Sequence, residues 1–207
     1  MSEPAERGYR NFLSLDAIVA EARAIADLEG LGAVSMRGLA DRLGCTPRAL
    51  YRHVSDKDEV LELLADRALG EVPFAVSSTD WQAALLEFFT GMYDLFVASP
   101  AVAAIVSQHA VAGSQFQAHA SQLVVRLLAE DIPPDTAVDA VVTLAQFTLG
   151  ASLPGTGQKL HDTYRSRRPE LVSETSSALT HVARYFATDD ARARFVTALR
   201  RMIRAYD

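Results

Sequence analysis

The chain has very little cysteine and no long hydrophobic run, and both absences narrow its class. Its single cysteine, Cys45, cannot form an internal disulfide, which favours a reducing compartment. No run of about 18 uncharged apolar residues is present, so we expect no membrane-spanning helix. The first ten residues carry acids where a secretory signal would carry basic residues followed by an apolar stretch. We therefore expect a cytoplasmic protein without a membrane partner.

Lysine is also scarce, with two lysines against eighteen arginines, and the net charge of the chain is −6. An acidic chain is a poor candidate for coating nucleic acid without selectivity, because such binding needs many phosphate contacts. A small basic patch on an acidic body can nevertheless bind DNA. Hydrophobic residues make up 49% of the 207 residues, which suffices for the core of one or two folded domains.

The basic charge is concentrated in residues 35–57, where five arginines or lysines stand against two acids. This segment predicts two short helices joined by a turn. Ser35 is a suitable N-cap for the first helix, and Gly44 can adopt the left-handed conformation that ends it. Thr46 is expected to cap the second helix through its hydroxyl, and Pro47 suits the first helical position. The pattern is that of a helix-turn-helix.

The second of these helices is expected to turn its basic residues outward, because Leu50 and Val54 form an apolar face at four-residue spacing. On charge alone, a solvated face is the commoner explanation of a short basic helix. The helix-turn-helix pattern instead favours DNA, where a recognition helix reads base edges and its neighbours hold phosphates. Arg48, and Arg37 in the preceding helix, are predicted to read guanine through paired hydrogen bonds. Further base or phosphate contacts are expected at Thr46, Pro47 and Arg52.

Helical periodicity continues through the rest of the chain, with almost no alternating pattern of the β type. One helix is predicted before the helix-turn-helix, from Ser14 to about Glu29, and another after it, from Ser55, with Asp58 completing a capping box. Later helices are predicted at about 80–98, 100–111, 114–130 and 133–153, followed by a C-terminal stretch that ends near Tyr206. The longest predicted loop is 154–169. The predicted fold class is all-α.

These segments resemble the tetracycline-repressor (TetR) family of bacterial transcription regulators. The match to its DNA-binding domain covers residues 12–70, through SMRGLADRLG, CTPRALYRHV and SDKDEVLELL. The similarity to its ligand-binding domain rests on Trp81-Gln82, Gln122-Leu123 and Gln146-Phe147-Thr148-Leu149-Gly150-Ala151. The resemblance implies that Tyr51, His53 and Lys57 hold phosphates. It also implies a homodimer that releases a palindromic, double-stranded operator when a small molecule enters the second domain.

The resemblance implies a ligand site as well, although the tetracycline-binding residues of the family are missing. The loop Gly70–Asp80 has no histidine, Phe88 stands where an asparagine is expected, and Pro154 stands where a metal-binding acid is expected. We therefore predict no metal or other cofactor, and a largely apolar effector. The candidate ligand-binding residues are Phe88, Met92, Phe96, His109, Phe116, His119, Gln122 and Gln146. The competing interpretation is an aromatic stripe in the core and histidines that are satisfied or exposed.

A dimer interface is predicted on two helices. In the C-terminal stretch, apolar residues from 195 to 206 recur at spacings of four, three and four and form one stripe. Small and β-branched residues between 138 and 149 form another, so two helices from each subunit could build a four-helix interface. Packing inside one monomer is the competing interpretation. The predicted interface residues are Val138, Val142, Leu149, Phe195, Leu199 and Met202.

Together these features predict a helix-turn-helix DNA-binding domain at residues 1–72 and a helical ligand-binding and dimerisation domain at 73–207. The expected function is that of a repressor that a small molecule releases from its operator. One alternative is a DNA-binding dimer with a solid helical domain that responds to no ligand. The other is an enzyme, but the sequence offers no Ser-His-Asp set, phosphate loop or metal motif. No enzymatic activity is therefore predicted.

Overall fold

The computed structural model describes residues 13–73, 80–109, 113–153, 181, 185 and 190–206. These residues form helices and turns without a β-strand, so the predicted all-α fold is confirmed. The helices, numbered in chain order, are α1 Leu15–Glu29, α2 Met36–Arg42, α3 Pro47–Leu50, α4 Lys57–Gly70, α5 Trp81–Ala98, α6 Pro100–Gln108, α7 Ser114–Ala129, α8 Pro134–Ser152 and α9 Ala191–Ile203.

The chain divides into two compact units, Met1–Leu64 and Ala65–Asp207, and the division falls inside α4. The domain boundary expected from the sequence, between residues 72 and 73, instead follows the end of this helix. The predicted helices at 80–98, 100–111, 114–130 and 133–153 correspond to α5, α6, α7 and α8 apart from their ends. The predicted loop at 154–169 lies outside the described residues.

The first unit places α1, α2, α3 and the first half of α4 around a small apolar core. Ser14 caps α1 by accepting a hydrogen bond from the Ala17 amide at 3.1 Å. Ser35 caps α2 in the same way, from the Gly38 amide at 3.1 Å, as the sequence predicts. Without these caps the first amides of each helix would lack a partner. The fully buried core residues of this unit include Ile18, Ala22, Leu39, Ala40, Leu50 and Val60.

The capping box predicted at the start of α4, between Ser55 and Asp58, is wrong by one position at each end. Asp56 accepts the Glu59 amide at 2.9 Å, and the Glu59 carboxylate accepts hydrogen bonds from the amide and hydroxyl of Ser55. The reason is that α4 begins at Lys57, so Asp56 precedes the helix and Glu59 is its third residue. The hydrogen bond from the Ser55 amide, followed by that from its hydroxyl, lowers the pKa of Glu59.

In the second unit, α5 is the central helix and packs against α6, α7, α8 and α9. Asp80 caps α5 by accepting hydrogen bonds from the amides of Gln82 and Ala83, at 2.9 and 3.2 Å. The largest fully buried side chains of this unit are Phe88, Phe89, Phe96, Leu69, Leu85, Ile105, Leu123 and Leu127. Of the described helices, none is individually long and apolar enough to cross a membrane. Only α5 and α6 taken together are, and that pair is bent by 108°.

Candidate nucleic-acid interface and ligand cavity

The turn between α2 and α3 has the geometry of a helix-turn-helix. Gly44 has φ 64°, which confirms the left-handed conformation expected from the sequence and is strained for residues with a side chain. The Cys45 amide then donates to the Ala40 carbonyl at 2.9 Å and closes the turn. Cys45 itself is half-buried. The turn thus fixes where α3 begins.

The second helix of the motif is shorter than the sequence pattern suggests. Helix α3 begins at Pro47 and ends at Leu50, and the chain continues as a tight turn in which the His53 amide donates to the Leu50 carbonyl at 2.8 Å. Thr46 precedes α3 with an extended backbone, but its hydroxyl makes no capping hydrogen bond, so that prediction is wrong. Proline at the first helical position needs no amide partner, which leaves one donor fewer to cap.

The residues predicted to contact DNA lie on the outer side of this motif. Leu50 is fully buried and Val54 is 3% exposed, so these two side chains fix the inner face of α3 and the turn after it. Tyr51, by contrast, is 54% exposed although it is aromatic. Lys57 is half-buried at the first position of α4. The other members of the predicted set are all exposed: Arg37, Thr46, Pro47, Arg48, Arg52 and His53.

Arg42 is an exposed basic residue of the motif whose charge is paired within the protein. Its guanidinium donates to the Glu21 carboxylate at 3.0 Å and also to the Glu29 carboxylate, both on α1. The hydrogen bond to Glu21 is the largest cause of the raised pKa of Arg42. Arg42 therefore links α2 to α1 through two solvent-exposed ion pairs. The basic charge that faces outward comes from Arg37, Arg48, Arg52 and Lys57.

A cavity of about 170 Å³ lies within the second unit. Five helices contribute to its wall, and every lining side chain is apolar except one glutamine, Gln146, whose amide can both donate and accept. The lining residues are Leu69, Met92, Val106, Phe116, Ala145, Gln146 and Leu149. An apolar wall with a single polar group is typical of small-molecule sites that bind uncharged ligands.

Three of the predicted ligand-binding residues line this cavity: Met92, Phe116 and Gln146. Phe88 and Phe96 lie on the same face of α5 as Met92 and are buried as it is, but they do not line the cavity. Phe88 packs edge to face on His119, with ring centroids 5.4 Å apart. Of the residues on α5, only Met92 lines the cavity. The apolar stripe in the sequence shows which face of α5 is buried, but it does not show which turn of that face borders a cavity. The remaining candidates that do not line the cavity are His109, His119 and Gln122.

Sequence reasoning missed four lining residues, and one of them was assigned elsewhere. Leu69, Val106 and Ala145 are ordinary apolar residues with no sequence signal that separates a cavity wall from a core. Leu149 was predicted at a dimer interface, whereas its half-buried side chain faces the cavity. Within the described ranges, no group of three or more His, Cys, Asp or Glu side chains could hold a metal ion.

The comparison with protein families decides the identity of this architecture. Residues 18–64 match the bacterial regulatory proteins of the tetR family, and residues 72–205 match the tetracyclin repressor-like C-terminal domain. The chain belongs to the TetR family. The resemblance inferred from the helix-turn-helix and from the second domain is thereby confirmed.

Two curated relatives of this TetR-family chain are transcription factors. An HTH-type transcriptional regulator of Saccharopolyspora erythraea is 31% identical over 140 residues, which cover 67% of this chain and 59% of that protein. The HTH-type transcriptional repressor DrrR1 of Streptomyces coeruleorubidus is 43% identical over 81 residues, 38% of this chain and 30% of that protein. The matches thus span less than two thirds of either relative's length.

A solved TetR-family structure covers nearly the whole chain. The TetR family protein ActR of Streptomyces coelicolor, in complex with actinorhodin, is 27% identical and superposes with a TM-score of 0.76. The superposition covers 94% of this chain and 96% of ActR. The fold of a helix-turn-helix followed by a helical C-terminal domain is therefore shared between them.

The predicted dimer stripe on α9 is used inside the protomer of this TetR-family chain. Phe195 is 4% exposed and stacks on Tyr93 with ring centroids 4.2 Å apart, and it also stacks on Phe147 at 5.4 Å. Leu199 is fully buried, and Met202 is half-buried. The interface assignment of Phe195 and Leu199 is therefore corrected, because α9 turns its apolar face towards α5 and α8.

Helix α8 does present apolar surface to solvent. Val138 and Val142 are 49% and 47% exposed, as an interface residue in an isolated chain should be. Val125 and Leu128 on the neighbouring helix α7 are also exposed, although sequence reasoning did not select them. These four residues are called the α7–α8 apolar surface below. Singly exposed aliphatic side chains are ordinary, whereas a contiguous apolar patch formed by several of them is typical of a protein interface.

Proposed function

We propose that this TetR-family chain is a transcriptional repressor that binds a palindromic operator as a homodimer. A largely apolar small molecule releases it by filling the cavity of the second unit. The observation that carries the proposal is the outer surface of the helix-turn-helix, where seven predicted contact residues are exposed around a buried Leu50. Support comes from DrrR1, a repressor that is 43% identical over 81 residues. Operator binding would place its action in the bacterial cytoplasm.

The outer surface contains the two kinds of donor that sequence-specific DNA binding requires. Arg48 on α3 and Arg37 on α2 can each present a planar fork to guanine O6 and N7. Tyr51, His53 and Lys57 would hold phosphates and fix the register. Lys57 is the first residue of α4, where exposed amides and the helix dipole also favour an anion.

Two copies of the helix-turn-helix are needed for a palindrome, because each copy reads one half-site about one DNA turn from the other. A symmetric dimer supplies both copies at a fixed separation. The α7–α8 apolar surface is the proposed contact, since burying it removes four exposed aliphatic side chains from water. Within this proposal, α9 contributes through Met202, which is half-buried in the single chain.

The cavity indicates what kind of effector would act. Aliphatic and aromatic walls favour an uncharged apolar molecule, because a charged group would be desolvated there without an opposite charge. Gln146 can fix the orientation of one polar group on that molecule. In one form of the dimer, the spacing of the two helix-turn-helix copies does not match the operator. A ligand that binds this form more tightly than the operator-bound form must weaken DNA binding. ActR in complex with actinorhodin supports a small-molecule site in this fold.

Selection of bound sequences from a random duplex pool tests the proposal. At about 0.15 M salt, the wild type should enrich a palindrome. Arg48→Ala should lose preference at one position of each half-site, whereas Arg201→Ala, which removes an exposed arginine of α9, should enrich the wild-type palindrome. No enrichment by a protein that sedimentation shows to be a folded dimer would refute the proposal. Turnover of a bound compound would instead favour the enzyme alternative.

A further inference from the structure

A buried carboxylate joins the end of α4 to the start of α7. Asp66 is 9% exposed, and its Oδ1 accepts hydrogen bonds from the Phe116 amide at 3.1 Å and the Gln115 amide at 3.2 Å. Both amides belong to the first turn of α7, where amides have no partner within the helix. Asp66, 49 residues earlier in the chain than Gln115, thus caps α7 from another helix. We call this arrangement the Asp66 cap.

Gly113 is the residue that allows this close approach. A Cβ atom at this position would lie 2.0 Å from Cγ of Asp66, and 2.5 Å from its Cβ. The φ angle of Gly113 is −69°, which any residue can adopt, so the lack of a side chain is needed for space and not for backbone conformation. The backbone of Gly113 is therefore packed directly against the Asp66 side chain.

The Asp66 cap and the cavity share the same two helices. Phe116 donates its amide to Asp66 and places its ring in the cavity wall. Leu69, three residues after Asp66 on α4, lines the same cavity. Side chains three residues apart lie on the same side of a helix, so the cap and the wall are adjacent parts of one α4–α7 contact.

The cavity beside the Asp66 cap is smaller than most ligand sites. Ligand sites usually measure about 300–1,000 Å³. The cavity here measures about 170 Å³. A ligand of ordinary size can therefore be enclosed here only if part of the wall moves, and a close-packed interior transmits such a displacement to its neighbours. Separation of Leu69 from Phe116 would stretch the hydrogen bonds of the Asp66 cap.

We propose that Asp66 is a positioning residue that links occupancy of the cavity to the position of α4. The inference rests on the proposed function and adds the side chain through which the effector acts. When the Asp66 cap is formed, α7 holds the C-terminal half of α4. When a ligand opens the Asp66 cap, the C-terminal end of α4 is released. Helix α4 begins at Lys57, a predicted phosphate contact, so its placement matters for operator binding. A ligand that favours the open cap then disfavours the operator complex.

The test compares four variants of the full chain. Asp66→Ala removes the carboxylate that forms the cap. Gly113→Ala leaves the carboxylate in place in the sequence but displaces it, because the new methyl group needs the same space. Asp66→Asn keeps a carbonyl oxygen where the amides can use it. Glu62→Ala is the matched control, because it removes an exposed acid from the same helix. Amide hydrogen exchange at Gln115 and Phe116 reports whether the cap is formed. Affinities for the enriched operator and for a random duplex are then measured at one salt concentration, below the melting temperature of every variant.

Loss of the cap should speed exchange of both amides by about tenfold or more. Asp66→Ala and Gly113→Ala should also weaken operator binding by about tenfold and leave random-duplex affinity within about twofold, because phosphate contacts alone carry the latter. Asp66→Asn should stay close to the wild type, and Glu62→Ala should match it. A merely structural loss would change melting temperature without changing the ratio of the two affinities.

Two results would overturn the inference. Unchanged exchange in both Asp66→Ala and Gly113→Ala would mean that the cap does not hold α7 in solution. Faster exchange of the Gln115 and Phe116 amides with an unchanged ratio of operator to random-duplex affinity would mean that Asp66 stabilises the α4–α7 contact without affecting operator binding. Failure of the proposed function looks different, because the wild type itself would then enrich no palindrome. Should Asp66→Ala not fold, Gly113→Ala still tests the same contact.

Discussion

Arg48 and Arg42 are two arginines of one helix-turn-helix with different surroundings, and this difference allows a sharp test. Arg48 is exposed on α3, whereas the guanidinium of Arg42 is bonded to Glu21 and Glu29 on α1. We expect Arg48→Ala to weaken operator binding and to relax base preference. Arg42→Ala should leave the base preference unchanged, because its side chain already has two carboxylate partners within the protein.

The expected magnitude follows from the geometry of guanine recognition. A paired contact from one arginine discriminates by about 1–3 kcal/mol, or roughly 5- to 150-fold, against the wrong base. A symmetric dimer repeats the contact in each half-site, so the loss for a full palindrome is about 2–6 kcal/mol. The ion pairs of Arg42 are solvent-exposed, and pairs of this kind contribute little to stability. Arg42→Ala should therefore remain folded and able to bind.

The assay is a set of binding titrations at one salt concentration, against the enriched palindrome and against palindromes changed at each position in turn. Arg48→Ala should lose most of its base discrimination at one position of each half-site. At every other position, the ratio of its affinity for the changed site to its affinity for the palindrome should equal that of the wild type. The reasoning is refuted if Arg48→Ala keeps the affinity and preference of the wild type. It is equally refuted if Arg42→Ala loses discrimination to the same extent as Arg48→Ala.

Three further predictions concern stability and assembly. Phe195→Ala should lower the free energy of unfolding by about 3–5 kcal/mol, because the ring is buried between Tyr93 and Phe147; urea titrations measure this, and an effect confined to dimer dissociation would contradict it. Val142→Glu should yield monomers in sedimentation experiments, since it puts a charge in the α7–α8 apolar surface, and an intact dimer would exclude that contact. The pKa of Glu59 is lowered in the folded state, so its contribution is present above the unfolded value of about 4.3 and is lost as pH falls through the folded value. Wild type and Glu59→Gln should thus differ in unfolding free energy at pH 7 and converge in acid, whereas a difference that persists in acid would assign the effect to something other than this charge.

Local features of the fold were predictable because residues a few positions apart decide them. The cap at Ser35 and the left-handed turn at Gly44 depend on a hydroxyl, an amide and the absence of a side chain, all within one short segment. The same reasoning failed at the start of α4, where more than one nearby residue was able to cap. The sequence shows which residues can cap a helix, but the actual first residue of the helix selects among them.

The candidate site was less predictable, since contacts between distant segments determine it. Phe88, Met92 and Phe96 form one stripe in the sequence and are all buried, yet of the three only Met92 lines the cavity. Phe88→Ala should accordingly damage the core more than the ligand response. On α9, the stripe containing Phe195 was explained equally well by a partner subunit or by the same chain, and the stacked ring of Tyr93 decides for the latter.

Charge on the helix-turn-helix illustrates the same limit. The count of basic residues in 35–57 treats Arg42 and Arg48 alike. The two acids that neutralise Arg42 lie 21 and 13 residues earlier in the chain, outside that segment. No short-range pattern indicates such a partner. The remaining basic residues of the motif lie at the start of α2, on α3 and in the turn after it, and at the start of α4. This narrower set has the arrangement of a reading helix with phosphate contacts at its sides.

The volume of the cavity bears on the alternative that sequence reasoning left open, a DNA-binding dimer with a solid helical domain. A cavity of about 170 Å³ is not a solid core, but it is smaller than sites that hold ligands of ordinary size, at about 300–1,000 Å³. A ligand of ordinary size can be enclosed in this cavity only if its wall moves. Leu69 and Phe116 lie on two helices joined at that point by a buried carboxylate. If the Asp66 cap never opens, the chain behaves as the ligand-independent dimer; if a ligand opens it, the same contact makes the repressor responsive.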